Sequence, residues 1–173
     1  IAVTGLQMVS AVSVIANGGV YVKPRIINYL TDQSNNSLKA IPVQKQQRII
    51  SESTAYGVKK TMQNVVTRGT AQIVKIKDYT IAGKTGTAQK PKKDGIGYEP
   101  GKYISSFIGF FPVEKPRVVI LVSIDSPKKN YYGSTVAGPV FKECAQFIID
   151  YYNIPPHSLA TRKKINRSKV NYY

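Results

Sequence analysis

Three successive apolar, β-branched stretches followed by one long amphipathic stretch limit the fold more than any other feature of this chain. Tyr79 to Gln89, Tyr103 to Phe111 and Arg117 to Asp125 each read as a strand, because their residue types suit a pleated, half-buried surface. The last two are joined by Pro112-Val113-Glu114-Lys115-Pro116, short enough for a hairpin. Val118 to Val122 contains no polar residue, so cover is expected on both faces of the sheet there. From about Thr135 to Tyr152, Val136, Val140, Phe141, Cys144, Phe147, Ile148 and Tyr151 recur at helical spacing. That stripe is the expected face against the sheet. Pro139 falls near the first turn, where a missing N–H is tolerated, and Pro155-Pro156 ends the helix.

Upstream, Thr4 can cap a helix carrying Leu6, Met8, Val9, Val12 and Ile15 at helical spacing, and Asn17-Gly18-Gly19 ends it. Val20 to Leu30, interrupted by Pro24, suits an edge strand or two short strands. Thr31 to Ser37 reads as a polar loop. Ser51 or Ser53 opens a second helix to about Val66, with Val58, Met62, Val65 and Val66 inward. Thr67 to Thr70 ends it. The order is helix, strand, helix, three antiparallel strands, helix. This is the α+β class, an antiparallel sheet flanked by helices. Such an outline alone assigns no function.

Charge narrows the partners. The 25 Lys and Arg against 9 Asp and Glu give a net charge of +16, which favours anionic surfaces. The densest groups, Lys90/Lys92/Lys93 and the tail Arg162/Lys163/Lys164/Arg167/Lys169, read as a solvated loop and tail. No zinc-finger, RNA-recognition or helix-turn-helix signature accompanies them, and no nucleic acid is expected. The tail from residue 157 to 173 is set apart from a domain over 1–156. With one Cys (Cys144) and one His (His157), neither an intramolecular disulfide nor a metal site is expected. No apolar run reaches the roughly 18 residues needed to cross a bilayer. The chain opens on Ile, with helical periodicity almost at once, which suggests part of a longer protein.

The stretch with chemistry is Ile81-Ala82-Gly83-Lys84-Thr85-Gly86-Thr87-Ala88-Gln89. Gly83-Lys84-Thr85 ends like a phosphate-binding loop, but that loop needs a Gly where Asp78 stands, and the surroundings read as a strand. The alternative is Lys-Thr-Gly, the third element of the active-serine penicillin-recognising enzymes. A cation beside a nucleophile eases proton transfer and attracts an anionic substrate, and a hydroxyl holds a carboxylate. A Gly admits substrate backbone, and the next N–H can stabilise a tetrahedral oxyanion. On a regular strand Lys84 and Gly86 share one side, Thr85 and Thr87 the other.

Beyond these residues the chain resembles the C-terminal part of the transpeptidase domain of class B penicillin-binding proteins, most closely the division and sporulation type. The matching stretches, in the family's order, are Val3-Thr4-Gly5-Leu6-Gln7-Met8, Ile15-Ala16-Asn17-Gly18-Gly19, Val22-Lys23-Pro24-Arg25, Val65-Val66 with Gly69-Thr70-Ala71, Ala82 to Gln89, Ser105 to Phe110, Tyr132-Gly133, and Val136 to Phe141. The resemblance implies an incomplete penicillin-binding-protein/β-lactamase-like domain from an enzyme that cross-links peptidoglycan stem peptides through a serine acyl-enzyme. It implies that β-lactams acylate the same serine. Lys84 would serve proton transfer and electrostatics. Thr85 and Thr87 would bind the carboxylate, Gly86 would admit the substrate, and the Thr87 N–H would form half of the oxyanion hole. It also implies an N-terminal anchor in the cytoplasmic membrane, an extracytoplasmic domain, other cell-division proteins as partners, and no metal or organic cofactor.

The family's Ser-x-x-Lys and Ser-x-Asn lie earlier than the segment matched here. Ser126-Pro127-Lys128-Lys129 and Ser34-Asn35-Asn36 fit those patterns literally. Both sit out of order in polar loops and read as coincidences. The nucleophile is therefore expected outside this chain, which alone should not turn over substrate. Two other readings stand beside this one: a β-lactam sensor, and a non-catalytic basic module that binds an anionic polymer. Among the remaining residues, Cys144 is expected in the core and His157 unengaged. Tyr131 and Tyr132 either pack over the sheet end or line the cleft. Ser105 and Ser106 belong to the strand beside Lys84, one of them facing the cleft. Lys90 to Lys102 is expected as a loop bordering the cleft as a mobile flap.

Overall fold

The computed structural model describes residues 3–32, 37–43 and 46–157. Helix α1 spans Gly5–Ala16. Thr4 caps it as expected, and Gln7 completes a reciprocal capping box. Two short strands follow, β1 (Val20–Tyr21) and β2 (Tyr29–Asp32). β2 pairs with β3 (Ser37–Ala40), so Thr31, Asp32 and Ser37 are strand ends, not loop. β4 (Gln47–Arg48) pairs with β1, and Arg48 Nη1 donates to Gly18 O at 2.8 Å. Helix α2 covers Glu52–Thr67 with Ser51 as its cap. A 3-10 turn at Gln72–Val74 leads to the main sheet.

That sheet is antiparallel in the order β5 (Ala82–Pro91), β6 (Tyr98–Phe111), β7 (Val118–Asp125). Helix α3 (Gly133–Tyr151) packs on one face and α1 with α2 on the other. Alternation along β6 produces this layering. Phe107 and Phe111 point to α3, where each meets Phe141 edge-on, at 4.6 Å and 6.4 Å between centroids. Phe110 points the other way, packing with Ala16, Met62, Ala82 and Val113. Lys59 of α2 sits at this second core. Its Nζ donates to Ala16 O at the end of α1 (3.2 Å), and burial pulls its pKa down.

Several sequence expectations need correction. Val118 to Val122 does have cover on both faces, but all five residues are only half-buried because β7 is a sheet edge among the described residues. Val58 is exposed on α2, where Ala55, Met62 and Val66 are the buried residues. On α3 the stripe Val140, Cys144, Phe147 and Tyr151 is exposed, and Cys144 is not a core residue. The buried face is Gly133, Ala137, Gly138, Phe141, Ala145 and Ile149. Small residues win there because the helix lies tightly on its neighbours: a Cβ on Gly138 would stand 3.0 Å from Ile73.

Lys90 to Lys102 is a loop only over residues 92–97. β5 continues to Pro91 and β6 starts at Tyr98, so the sheet runs on as a two-stranded ribbon with a register shift between Gln89 and Pro91. Gly95, Gly97 and Gly101 take positive φ at its turn and along its return strand. Lys90 Nζ reaches across to Asp125 of β7 at 2.7 Å.

Candidate active site

Among the described residues β5 pairs only with β6, so its outer side is a sheet edge with no strand beside it. Lys84, Thr85, Gly86 and Thr87 lie in register with Ile108, Phe107, Ser106 and Ser105. Lys84 is exposed, and its Nζ donates to Thr85 O at 2.9 Å and stands 3.5 Å from Thr85 Oγ1. Thr85 Oγ1 lies 3.4 Å from Thr70 Oγ1. Thr70 comes there because the chain folds back sharply after α2. Gly69 N–H bonds Asn64 O and Ala71 N–H bonds Val65 O. A Cβ on Gly69 would sit 2.9 Å from Val65 Cα and O. One cation and two threonine hydroxyls thus gather at the strand edge.

The glycines of the motif thin the strand. A Cβ on Gly83 would stand 2.4 Å from Phe107 Cζ, so this glycine makes room for a core ring. Gly83-Lys84-Thr85 lies wholly inside β5, which rules out the phosphate-loop geometry. A Cβ on Gly86 would stand 2.4 Å from Ser106 Oγ, its register partner. A side chain here would have to displace the Ser106 hydroxyl.

Thr87 is exposed, and its Oγ1 accepts the amide of Gly133 at 3.2 Å. Ser105, opposite Thr87, is fully buried and donates to Tyr131 O at 2.5 Å. Tyr131 stacks on Tyr103 with centroids 4.3 Å apart and a 16° interplanar angle. Tyr131 thereby packs over the sheet end, and Tyr132 follows it at 4.7 Å. The hydrogen bond with the Tyr132 hydroxyl holds the Tyr131 phenol above its ordinary pKa. Ser106 rather than Ser105 faces the Gly86 side of the sheet.

Other expected positions lie apart from this edge. Ser126 follows β7 with φ 50°, donates to Asp125 Oδ1 at 2.6 Å and bonds through its N–H to Tyr103 O. It begins no helix, in keeping with its reading as part of a polar loop. Ser34-Asn35-Asn36 lies outside the described residues. His157 is engaged, contrary to expectation: its N–H bonds Asp78 O, and Nδ1 lies 3.6 Å from Glu114 Oε1. Thr70 and Gly133, which sequence reasoning does not single out, contact Thr85 and Thr87, and both fall in stretches quoted for the resemblance.

Comparison with known proteins places this arrangement in a family. The family profile "Penicillin binding protein transpeptidase domain" matches residues 1–146. The chain belongs to that family. Stage V sporulation protein D of Bacillus subtilis is 35% identical over 167 residues, covering 95% of this chain and 25% of that protein. A peptidoglycan D,D-transpeptidase FtsI homolog of Mesostigma viride is 31% identical over 169 residues, covering 90% and 28%. Among solved structures, penicillin binding protein 3 of Mycobacterium tuberculosis complexed with ampicillin superposes with a TM-score of 0.80 at 32% identity, covering 89% of this chain and 36% of that one. The chain thus spans about a quarter of the length of the curated relatives it matches. The α+β class and the transpeptidase fold are as expected from sequence.

Proposed function

We propose that this chain supplies the Lys-Thr-Gly edge of a peptidoglycan D,D-transpeptidase whose nucleophilic serine lies on polypeptide outside these 173 residues. The observation that carries this reading is the placement of Lys84, Thr85 and Thr87 on the edge strand β5, with Lys84 Nζ 3.5 Å from Thr85 Oγ1 and Thr70 Oγ1 3.4 Å from the same hydroxyl.

The donor peptide lies extended along β5, taking up backbone bonds that no strand supplies. Its terminal carboxylate meets the Thr85 and Thr87 hydroxyls, and Lys84 adds positive charge. A hydrogen bond to such a charged group is worth about 1.5–3 kcal/mol. The serine oxygen bonds to the penultimate D-Ala carbonyl carbon while its proton passes into the network that Lys84 joins. The carbonyl oxygen, negative in the tetrahedral intermediate, takes the Thr87 N–H. The C–N bond breaks, and the terminal D-Ala leaves with a proton on its amine. The amine of a second stem peptide then attacks the ester, regenerating the serine and leaving the cross-link. A β-lactam presents the same carbonyl and carboxylate, and its ring opens onto the serine.

The whole protein acts outside the cytoplasmic membrane, anchored by a segment beyond this chain, and works beside other cell-division proteins. Residues 1–156 form the domain portion and 157–173 a basic tail. The test is the second-order rate of penicillin acylation of the complete protein. Lys84→Ala is expected to lower it by about 100-fold or more. A rate within twofold of wild type contradicts the assignment.

A further inference from the structure

Ser105 is the one polar side chain counted as buried among the described residues, at 0% exposure. A hydroxyl so placed needs a partner, and it donates to Tyr131 O at 2.5 Å. Two residues further on, Gly133 N–H donates to Thr87 Oγ1 at 3.2 Å. Ser105 and Thr87 are a direct register pair and so face the same side of the sheet. The segment Tyr131–Gly133 is therefore fastened twice across one strand pair, receiving a bond from β6 and giving one to β5.

The fastening has a directional consequence. A threonine hydroxyl has one proton and two acceptor positions and rotates freely unless a neighbour fixes it. With Gly133 N–H on an acceptor position of Thr87, the Thr87 proton is left to point elsewhere. Thr87 is exposed as a residue, so a ligand can reach that proton as a donor. The seat is tight: a Cβ on Gly133 would stand 2.3 Å from Ser106 O and 2.5 Å from Gly86 O, so only glycine brings its amide this close.

We propose that Ser105 is a positioning residue for carboxylate recognition, acting through Tyr131–Gly133 to hold the Thr87 hydroxyl as a donor. This rests on the reading that Thr87 binds the carboxylate of the donor peptide or β-lactam. Ser105 touches no substrate. Its effect is confined to ligands that carry the carboxylate.

The experiment measures acylation of the complete protein by benzylpenicillin and by its methyl ester, and takes the ratio of the two rates. Ser105→Ala is expected to lower this ratio about tenfold, the equivalent of one neutral hydrogen bond. Thr87→Val is expected to lower it at least as much, and Ser105→Ala added to Thr87→Val is expected to change it no further. Ser105→Cys, which keeps a weak donor of similar size, gives an intermediate ratio and serves if the alanine variant does not fold. If Thr87→Val leaves the ratio unchanged, the carboxylate reading fails and this proposal with it. If Thr87→Val lowers the ratio but the Ser105 variants slow both probes equally, or multiply the Thr87→Val effect, only the positioning role is overturned.

Discussion

A Cβ on Gly133 would stand 2.5 Å from Gly86 O, so the first residue of α3 rests directly on the strand that carries Lys84. The helix that covers the hydrophobic core is thereby also the support of the site. Gly133→Ala is expected to destabilise the complete protein by about 1–3 kcal/mol through forced separation of α3 from β5. The midpoint of urea unfolding reads this. An unchanged midpoint contradicts the close seating.

Gly86 and Ser106 face each other on the side of the sheet away from α3, with 2.4 Å between a Cβ on Gly86 and Ser106 Oγ. Gly86→Ala is expected to slow penicillin acylation, and Ser106→Gly is expected to restore part of the loss. A double-mutant cycle should give a coupling of about 1 kcal/mol. Zero coupling would mean that Gly86 is needed for substrate access alone.

The two sides of α3 offer a direct contrast. Ala145 is fully buried, whereas Cys144 is exposed. Ala145→Leu is expected to cost about 1–3 kcal/mol by overpacking. Cys144→Ala should stay within about 0.5 kcal/mol. Thermal unfolding of the two variants distinguishes this arrangement from one in which the larger apolar stripe faces the sheet.

That contrast also shows where sequence reading succeeds and where it stops. The caps at Thr4 and at Ser51 or Ser53 are local signals and legible, and the structure settles on Ser51 and adds the reciprocal bond from Gln7 three residues after Thr4. The strand expected over Tyr79 to Gln89 is legible from the same kind of local pattern, although it runs over Ala82–Pro91. On α3 two stripes run side by side, one large and apolar (Val140, Phe147, Tyr151), one with small residues (Ala137, Gly138, Ala145). Hydrophobicity selects the first, but the sheet takes the second together with Phe141 and Ile149, because small residues at 137, 138 and 145 let the helix lie close enough for Phe141 to reach Phe107 and Phe111. Lys90 to Lys102 looks like a loop because it is charged and glycine-rich. A ribbon needs only backbone bonds to continue, and side-chain composition does not report them. Thr70 and Gly133 join the site through contacts 15 and 46 residues away, which no local pattern encodes.

The Lys90–Asp125 contact ties this ribbon to β7. The Lys90 hydrogen bond, with help from Ser126, lowers the Asp125 pKa, and the same bond raises that of Lys90. For the lowered carboxylate, the stabilisation is complete above its unfolded value of about 4 and is lost as pH falls through the lower folded value. For the raised lysine it is complete below about 10.4 and lost as pH climbs through the higher folded value. Amide exchange of ribbon residues, corrected for intrinsic rates, should therefore show protection that falls on acidification below about pH 4. Asp125→Asn should remove that acid dependence. Persistence of the dependence in Asp125→Asn assigns it to another carboxylate.

The most direct test of the central claim is to locate the acylated residue. The complete protein is incubated with benzylpenicillin, its intact mass is measured, and the adduct is mapped by peptide mass spectrometry. The expected result is one penicillin per molecule, on a serine outside residues 1–173, with Ser105, Ser106 and Ser126 unmodified. An adduct on any serine within these 173 residues would contradict the account of Lys84, Thr85 and Thr87 as one edge of a site whose nucleophile comes from elsewhere.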